Sequence, residues 1–169
     1  MFQMRWGRRG WVLVALVVLG LATGLQAASG PEVQVKLSGS IQQRPRAGAA
    51  WVTLKDGSQV APGERILYKL ELTNHGVDAA RSPVALGPIP AGTAFVHGTA
   101  STGPDLMLDY SIDGGKTFSE APTIKVTGKD GRTEIVPAPA DRYTTVRWTL
   151  ETPLSAGATT TVSYQVQVK

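Results

Sequence analysis

Hydrophobic and polar residues alternate along most of the chain after residue 30, with a period of two rather than 3.6. The clearest case is segment 65–74, in which every second side chain is apolar and the others are polar or charged. Segments 145–150 and 161–168 repeat the pattern. Such alternation is typical of a strand with one face on a core and the other in water. These three segments are therefore predicted strands.

Shorter apolar segments separated by turn residues predict further strands. They cover residues 33–37, 51–54, 84–86, 93–97, 107–112, 123–126 and 132–136. Glycine, proline and asparagine cluster between them, as at Pro62-Gly63, Asn74-His75-Gly76 and Gly114-Gly115, and predict tight turns in which glycine and asparagine supply positive φ and proline presets φ. No helical window follows residue 30. The pattern predicts an all-β fold, an antiparallel β-sandwich with an immunoglobulin-like layout. A small barrel is the alternative architecture.

Segment 38–50 contains Arg44-Pro45-Arg46 and a run of small residues, so it is predicted to be an exposed loop or edge. No internal repeat is visible, because each characteristic turn occurs once. The chain beyond the leader is predicted to be one module.

The first residues have the three parts of a secretory signal peptide. Arg5, Arg8 and Arg9 form a basic start, residues 11–25 are apolar, and small residues follow at 27–30. The apolar run is too short for a membrane anchor, which needs about 20 residues. We expect a signal peptide over 1–27 and a single domain over 28–169. The twin-arginine and general export routes both stay open.

Composition and charge exclude several classes of protein. The 169 residues include no cysteine, so disulfides, thiolate metal sites and cysteine nucleophiles are excluded. Three of the 17 basic residues lie in the leader and none of the 13 acidic ones do, so the exported domain carries a net charge of only +1. This near-neutral domain lacks the positive charge that nucleic-acid phosphates require, and no nucleic-acid partner is expected.

The string from Ser111 to Phe118, Ser-Ile-Asp-Gly-Gly-Lys-Thr-Phe, resembles the Asp-box pattern of sialidase-type propellers. In that pattern the aspartate binds turn amides and the aromatic packs beneath them, so the motif stabilises a hairpin and performs no catalysis. One copy in a short chain does not make a propeller. A phosphate-binding loop at Gly115-Lys116-Thr117 is excluded, because Tyr110 stands where that loop needs glycine and no helix follows.

Other residues with chemical potential are interpreted as structural. Asp109, Asp113 and Asp130 offer oxygens that calcium prefers, but their spacing matches no calcium loop, and we interpret them as solvated turn residues. His75 lies in a predicted turn and His97 near a strand end, without ligand spacing or a nucleophile motif. The sequence therefore predicts no enzyme and no catalytic, cofactor-binding or metal-binding residues.

Two tryptophans lie beyond the leader. Trp148 falls on the apolar face of its strand and is predicted to be core. Trp51 is expected to pack as well, but it is also the candidate for a sugar-stacking platform beside the basic loop. Glycan binding is thus the alternative function.

Segments 58–100 and 143–169 resemble a conserved repeat domain of bacterial surface proteins, domain-of-unknown-function family eleven. The resemblance rests on Val60-Ala61-Pro62-Gly63-Glu64, Leu72-Thr73-Asn74-His75-Gly76, Ile89-Pro90-Ala91-Gly92-Thr93 and Pro153-Leu154-x-x-Gly157. It implies an immunoglobulin-like sandwich with structural or adhesive roles and no active-site residues. The chain departs from the family in holding one copy, and in having Gly87-Pro88 where the family often has an acidic residue.

Together these patterns predict an exported, non-enzymatic envelope protein that is periplasmic or secreted. It would act as a structural or protein-interaction module, without a cofactor and without a stable membrane anchor once the leader is cleaved. An envelope protein of unknown identity is the expected partner. The closing strand, 161–169, is the predicted edge at which a partner strand would add.

Overall fold

The structure is a computed structural model that describes residues 12–13, 30–42, 51–55 and 58–169. Apart from one short 3-10 helix at Ala140–Arg142, all regular elements among these residues are strands. In chain order they are β1 (Val12–Leu13), β2 (Val33–Gln42), β3 (Trp51–Thr53), β4 (Gln59–Val60), β5 (Arg65–Asn74), β6 (Val84–Pro88), β7 (Thr93–Phe95), β8 (Leu106–Ser111), β9 (Thr123–Thr127), β10 (Thr133–Pro137), β11 (Thr145–Leu150) and β12 (Thr159–Val168).

The larger sheet has five antiparallel strands in the order β3-β2-β5-β12-β7. Strand β5 lies at its centre, where Ile66, Leu70 and Leu72 are buried on one face while Lys69 and Glu71 are exposed on the other. Strand β12 repeats this arrangement. The alternation that predicted these strands therefore separates the core face from the solvent face.

The smaller sheet has three antiparallel strands in the order β6-β11-β8. Its middle strand buries Val146, Trp148 and Leu150 against the larger sheet. Trp148 lies next to Tyr164 of β12, with ring centroids 5.8 Å apart, and its indole nitrogen donates to the Ser101 carbonyl at 3.0 Å. The predicted core position of Trp148 is confirmed, and so is the all-β antiparallel sandwich.

Two short pairs complete the described fold. Strands β9 and β10 form an antiparallel hairpin, and β1 pairs with β4. Apart from β1, the predicted leader lies outside the described residues. Among the described residues no helix is long and apolar enough to cross a membrane.

Asn74, fully buried at the end of β5, joins three segments. Its side-chain oxygen accepts the amides of Glu32 at 3.1 Å and Gly76 at 3.0 Å. Its side-chain nitrogen donates to the carbonyls of Asp78 at 2.8 Å and Leu154 at 2.9 Å. The Asn-His-Gly turn is therefore held by an asparagine side chain that satisfies all of its hydrogen-bonding capacity.

The backbone conformation of Gly76 differs from the one predicted for that turn. It does not adopt the positive φ that the turn pattern predicted. It is glycine because a Cβ there would lie 2.2 Å from the Gly30 carbonyl oxygen and 2.4 Å from the Glu32 nitrogen. Close approach of two backbone segments, rather than a left-handed conformation, requires it.

Two sequence predictions about edges are wrong. Residues 38–42, predicted to belong to an exposed loop or edge, continue β2 between β5 and β3, with Gly39 and Ile41 buried. Residues 43–50 lie outside the described residues. The closing strand β12 is no edge, because it pairs with β5 on one side and with β7 on the other. Beyond β7, its Ser163 and Gln165 carbonyls accept the amides of Ser101 and Val96. Its backbone is therefore occupied on both sides.

Candidate functional site

The outer face of the smaller sheet exposes an apolar surface. Leu86 on β6 and Met107 on β8 are 52% and 46% exposed, and Val84 on β6 is 46% exposed. Cross-strand register places Val84 and Met107 on either side of Thr149, and Leu86 beside Arg147. We call this surface, formed by Val84, Leu86, Met107, Arg147 and Thr149, the outer platform. Single exposed apolar side chains are common, but here three of them share one short face.

An ion pair lies in the middle of the outer platform. Arg147 on β11 and Asp109 on β8 are directly opposite in the register, and Arg147 Nε donates to Asp109 Oδ1 at 2.8 Å. A second bond joins Arg147 Nη2 to Asp109 Oδ2, so the contact is bidentate. Hydrogen bonding to the carboxylate raises the pKa of Arg147. The guanidinium is thus neutralised by a carboxylate of which only 11% is exposed.

The Phe118 ring packs against the Arg147 guanidinium. The Arg147 Cζ atom lies 3.9 Å from the centre of the Phe118 ring, a stacked cation–π arrangement. Phe118 follows the Ser111-to-Thr117 turn, which returns the chain to β8 through the paired backbones of Tyr110 and Ser119. The turn therefore positions an aromatic ring at the rim of the outer platform.

Asp113 organises that turn as the sequence predicted. Its Oδ1 accepts the Lys116 and Thr117 amides at 3.0 and 2.9 Å, and its Oδ2 accepts the Thr117 hydroxyl at 2.6 Å. The Ser111 hydroxyl also donates to Oδ1 at 2.7 Å. The bonds from Thr117 are the main reason that the pKa of Asp113 lies below its usual range. The interpretation of this motif as a hairpin device is confirmed.

The three aspartates considered as calcium ligands do not converge. Asp109 corrects the prediction, because it lies within β8, is buried and pairs with Arg147 instead of standing in a solvated turn. Asp130 does lie in an exposed turn, between β9 and β10, where it accepts the Arg132 amide at 3.2 Å. No group of three or more possible metal ligands occurs within the part of the chain that the structure describes.

The two histidines are exposed and far apart. His75 contacts Gln34 through Nε2 at 3.2 Å, and His97 packs edge-on against Phe95 and Tyr143. His75 follows β5 beside the start of β12, whereas His97 follows β7 beside its end. At about 3.3 Å per residue, roughly 20 Å of strand separates the two positions. They do not share a site.

A cleft of about 330 Å³ also lacks converging reactive groups. It lies at one end of the sandwich between Pro104, Leu106, Leu150 and Thr160. Its acidic residue, Asp105, accepts a bond from the Thr152 hydroxyl at 3.0 Å. Trp51, the sequence candidate for sugar stacking, has its backbone in β3, and its side chain lies outside what the structure describes.

Sequence reasoning missed the outer platform and its ion pair. The sequence contained part of the information, because Arg147 alternates with the buried residues of β11 and its side chain therefore had to face outward. What could not be seen was the register that sets Asp109 opposite it.

Comparison with known proteins gives no relative to extend this description: no family model, no curated protein and no solved structure matches the chain.

Proposed function

We propose that this protein is an exported, non-enzymatic β-sandwich of the bacterial envelope that acts by protein–protein contact through the outer platform. The observation that carries the proposal is the exposure of Val84, Leu86 and Met107 on one face around the neutralised Arg147–Asp109 pair. A partner with an apolar surface would cover these side chains.

The chemistry of the outer platform suits a protein partner. Interface centres are depleted in unpaired charge and enriched in methionine, arginine and aromatic residues. The guanidinium of Arg147 already has its carboxylate and its ring, so a partner covering it would leave no unpaired charge behind. Val84, Leu86 and Met107 are already exposed on regular strands, so no rearrangement is needed to present this face.

Export and location belong to the same proposal. The basic, apolar and small-residue parts of the leader support passage through the cytoplasmic membrane, to the periplasm or the medium. The resemblance to the surface-protein repeat supports a structural or adhesive role over an enzymatic one.

Site-specific photocrosslinking in producing cells tests the proposal. A photoreactive residue at Leu86 should give a discrete adduct with an envelope protein. The same residue at Thr161, exposed on the outer face of the larger sheet, is the matched control. Equal adducts at both positions, or none at Leu86, would overturn the proposed binding face.

A charge substitution tests whether the apolar surface itself binds. Leu86→Asp should abolish the adduct formed from a photoreactive residue at Met107 while leaving the thermal midpoint nearly unchanged, because Leu86 is half exposed. Thr161→Asp, on the solvent face of β12, should leave the adduct intact. Retention of the adduct in Leu86→Asp would count against the proposal.

A further inference from the structure

In the part of the chain that the structure describes, strand β2 has an open side along its first half. It pairs with β5 over its whole length, but on its other side β3 covers only Ser40–Gln42. Within the described residues nothing pairs with the outer side of positions 33–37. This stretch contains no proline and no inward-facing charge, which are the usual protections of an edge strand.

The direction of the open backbone groups follows from two hydrogen bonds. The Glu32 carbonyl accepts the His75 amide on the β5 side, and the Gly39 carbonyl accepts the Leu54 amide on the β3 side. Because backbone groups alternate along an antiparallel strand, even-numbered residues of β2 face β5 and odd-numbered residues face outward. Val33, Val35 and Leu37 therefore present their amides and carbonyls to the open side.

The side chains of the same three residues are incompletely covered. They lie on the core face, opposite Asn74, Leu72 and Leu70 of β5, yet Val35 is 42% exposed. The larger sheet has five strands and the sheet packed against it has three, which leaves this margin exposed. An added strand would bury apolar side chains as well as completing backbone pairs.

We propose that a second copy of this chain pairs with this open side, antiparallel, with the two-fold axis at Gln34. Val33 of each copy would then exchange backbone hydrogen bonds with Val35 of the other, and their side chains would meet on the core face. The two larger sheets would join edge to edge in an isologous dimer.

Charge complementarity selects this register and this occupant. With the axis at Gln34, Lys36 of each copy lies opposite Glu32 of the other on the solvent face. Within one chain Lys36 is already opposite Glu71, so each lysine would stand between two carboxylates. An axis at Lys36 would instead oppose two lysines, and an axis at Val35 would oppose Lys36 and Gln34, without an ion pair.

This dimer goes beyond the proposed function and uses a different surface. The open side of β2 belongs to the larger sheet, whereas the outer platform belongs to the smaller one. Failure of one proposal therefore leaves the other standing, and variants of each surface serve as controls for the other.

Cysteine crosslinking tests the register, because the natural chain has no cysteine and any disulfide must join two chains. In the proposed dimer the two Gln34 positions form a non-hydrogen-bonded pair with Cα atoms about 4.5 Å apart, within disulfide reach. Mild oxidation should convert most of a Gln34→Cys protein to dimer. Lys36 is also exposed, but the two Lys36 positions would lie roughly 13 Å apart along the strands, so Lys36→Cys should stay monomeric.

A mixing experiment tests the charges without a covalent link. Glu32→Lys and Lys36→Glu should each sediment as monomers, because each places like charges opposite one another. Their equimolar mixture should dimerise again, since all the opposed charges are then complementary. The wild-type dimer should weaken as salt is raised.

The outcomes are decisive in both directions. Preferential linking through Gln34→Cys together with rescue in the mixture would establish the pairing. A wild-type protein that sediments as a monomer at all concentrations, or Lys36→Cys linking as well as Gln34→Cys, would overturn it. Leu86→Asp should dimerise like the wild type, which separates this result from any failure of the outer platform.

Discussion

Replacing Asn74 with alanine should be among the most damaging single substitutions in this protein. The side chain is fully buried and hydrogen-bonds four backbone groups from three segments. Alanine supplies neither donors nor acceptors, so every one of these groups loses a partner. The size of the effect depends on which of them can find another.

The four backbone groups differ in whether another hydrogen-bond partner is available to them. The Leu154 carbonyl keeps a bond from the Ala80 amide at 2.9 Å, and Asp78 is exposed to water. The Gly76 amide is buried and has no alternative among the described residues, which costs about 1–3 kcal/mol. The half-buried Glu32 amide also loses its partner, and the removed side chain leaves a space. Together these effects bring the expected loss in the free energy of unfolding to about 3 kcal/mol. Domains are typically stable by only about 5–15 kcal/mol.

Urea unfolding followed by the fluorescence of the buried Trp148 measures this loss. At a typical slope of about 2 kcal/mol per molar urea, the midpoint should fall by roughly 1.5 M. Thr73→Ala is the matched control, because among the described residues its hydroxyl bonds only the exposed Thr159 hydroxyl, at 3.0 Å. The midpoint of this variant should hardly move. A loss below about 1 kcal/mol for Asn74→Ala would refute the view that this side chain joins the three segments.

Three further predictions concern packing and titration. Gly87→Ala should lower the free energy of unfolding in urea by about 1–3 kcal/mol, because its Cβ would lie 2.6 Å from Tyr164 Cε1. Gly103→Ala is the control and should be near neutral, because the nearest atom to its Cβ would be 3.8 Å away. Equal losses in the two variants would refute the packing argument. Burial raises the pKa of Tyr68 to about 12, so its contribution to stability is complete below the unfolded value of about 10 and is lost as the pH rises towards 12. Tyr68→Phe removes a buried hydroxyl that has no partner among the described residues, so the variant should be as stable as the wild type or more stable at pH 7. Its thermal midpoint should also fall less steeply above pH 10. A clear loss of stability at pH 7 would contradict this prediction. Asp113 has a lowered pKa, so its contribution to the stability of the turn is present above about pH 4 and is lost as the pH falls further. Asp113→Asn should speed hydrogen exchange of the turn amides at neutral pH. Unchanged exchange would show that these amides do not depend on the carboxylate.

The sequence alone determined most of the strands and, for the longest alternating segments, which of their faces are buried. Residues 65–74 and 145–150 were predicted with their observed bounds and inward faces. The Asp113 turn was also predictable from sequence. These features are local, because alternation along a strand and hydrogen bonds within a turn involve residues that are near one another in the chain.

The tertiary structure decided which strands are neighbours and which edges are open. Nothing in the alternation of β12 shows that β5 and β7 flank it, so the closing strand was mistaken for an edge while β2 was cut short at its glycine and serines. Asp109 looked like a turn residue until its register with Arg147 was known. Pairing joins residues distant in sequence, and many partners satisfy the same period of two. Only the packing of both sheets around one core selects among them, and that selection places the outer platform and the open side of β2.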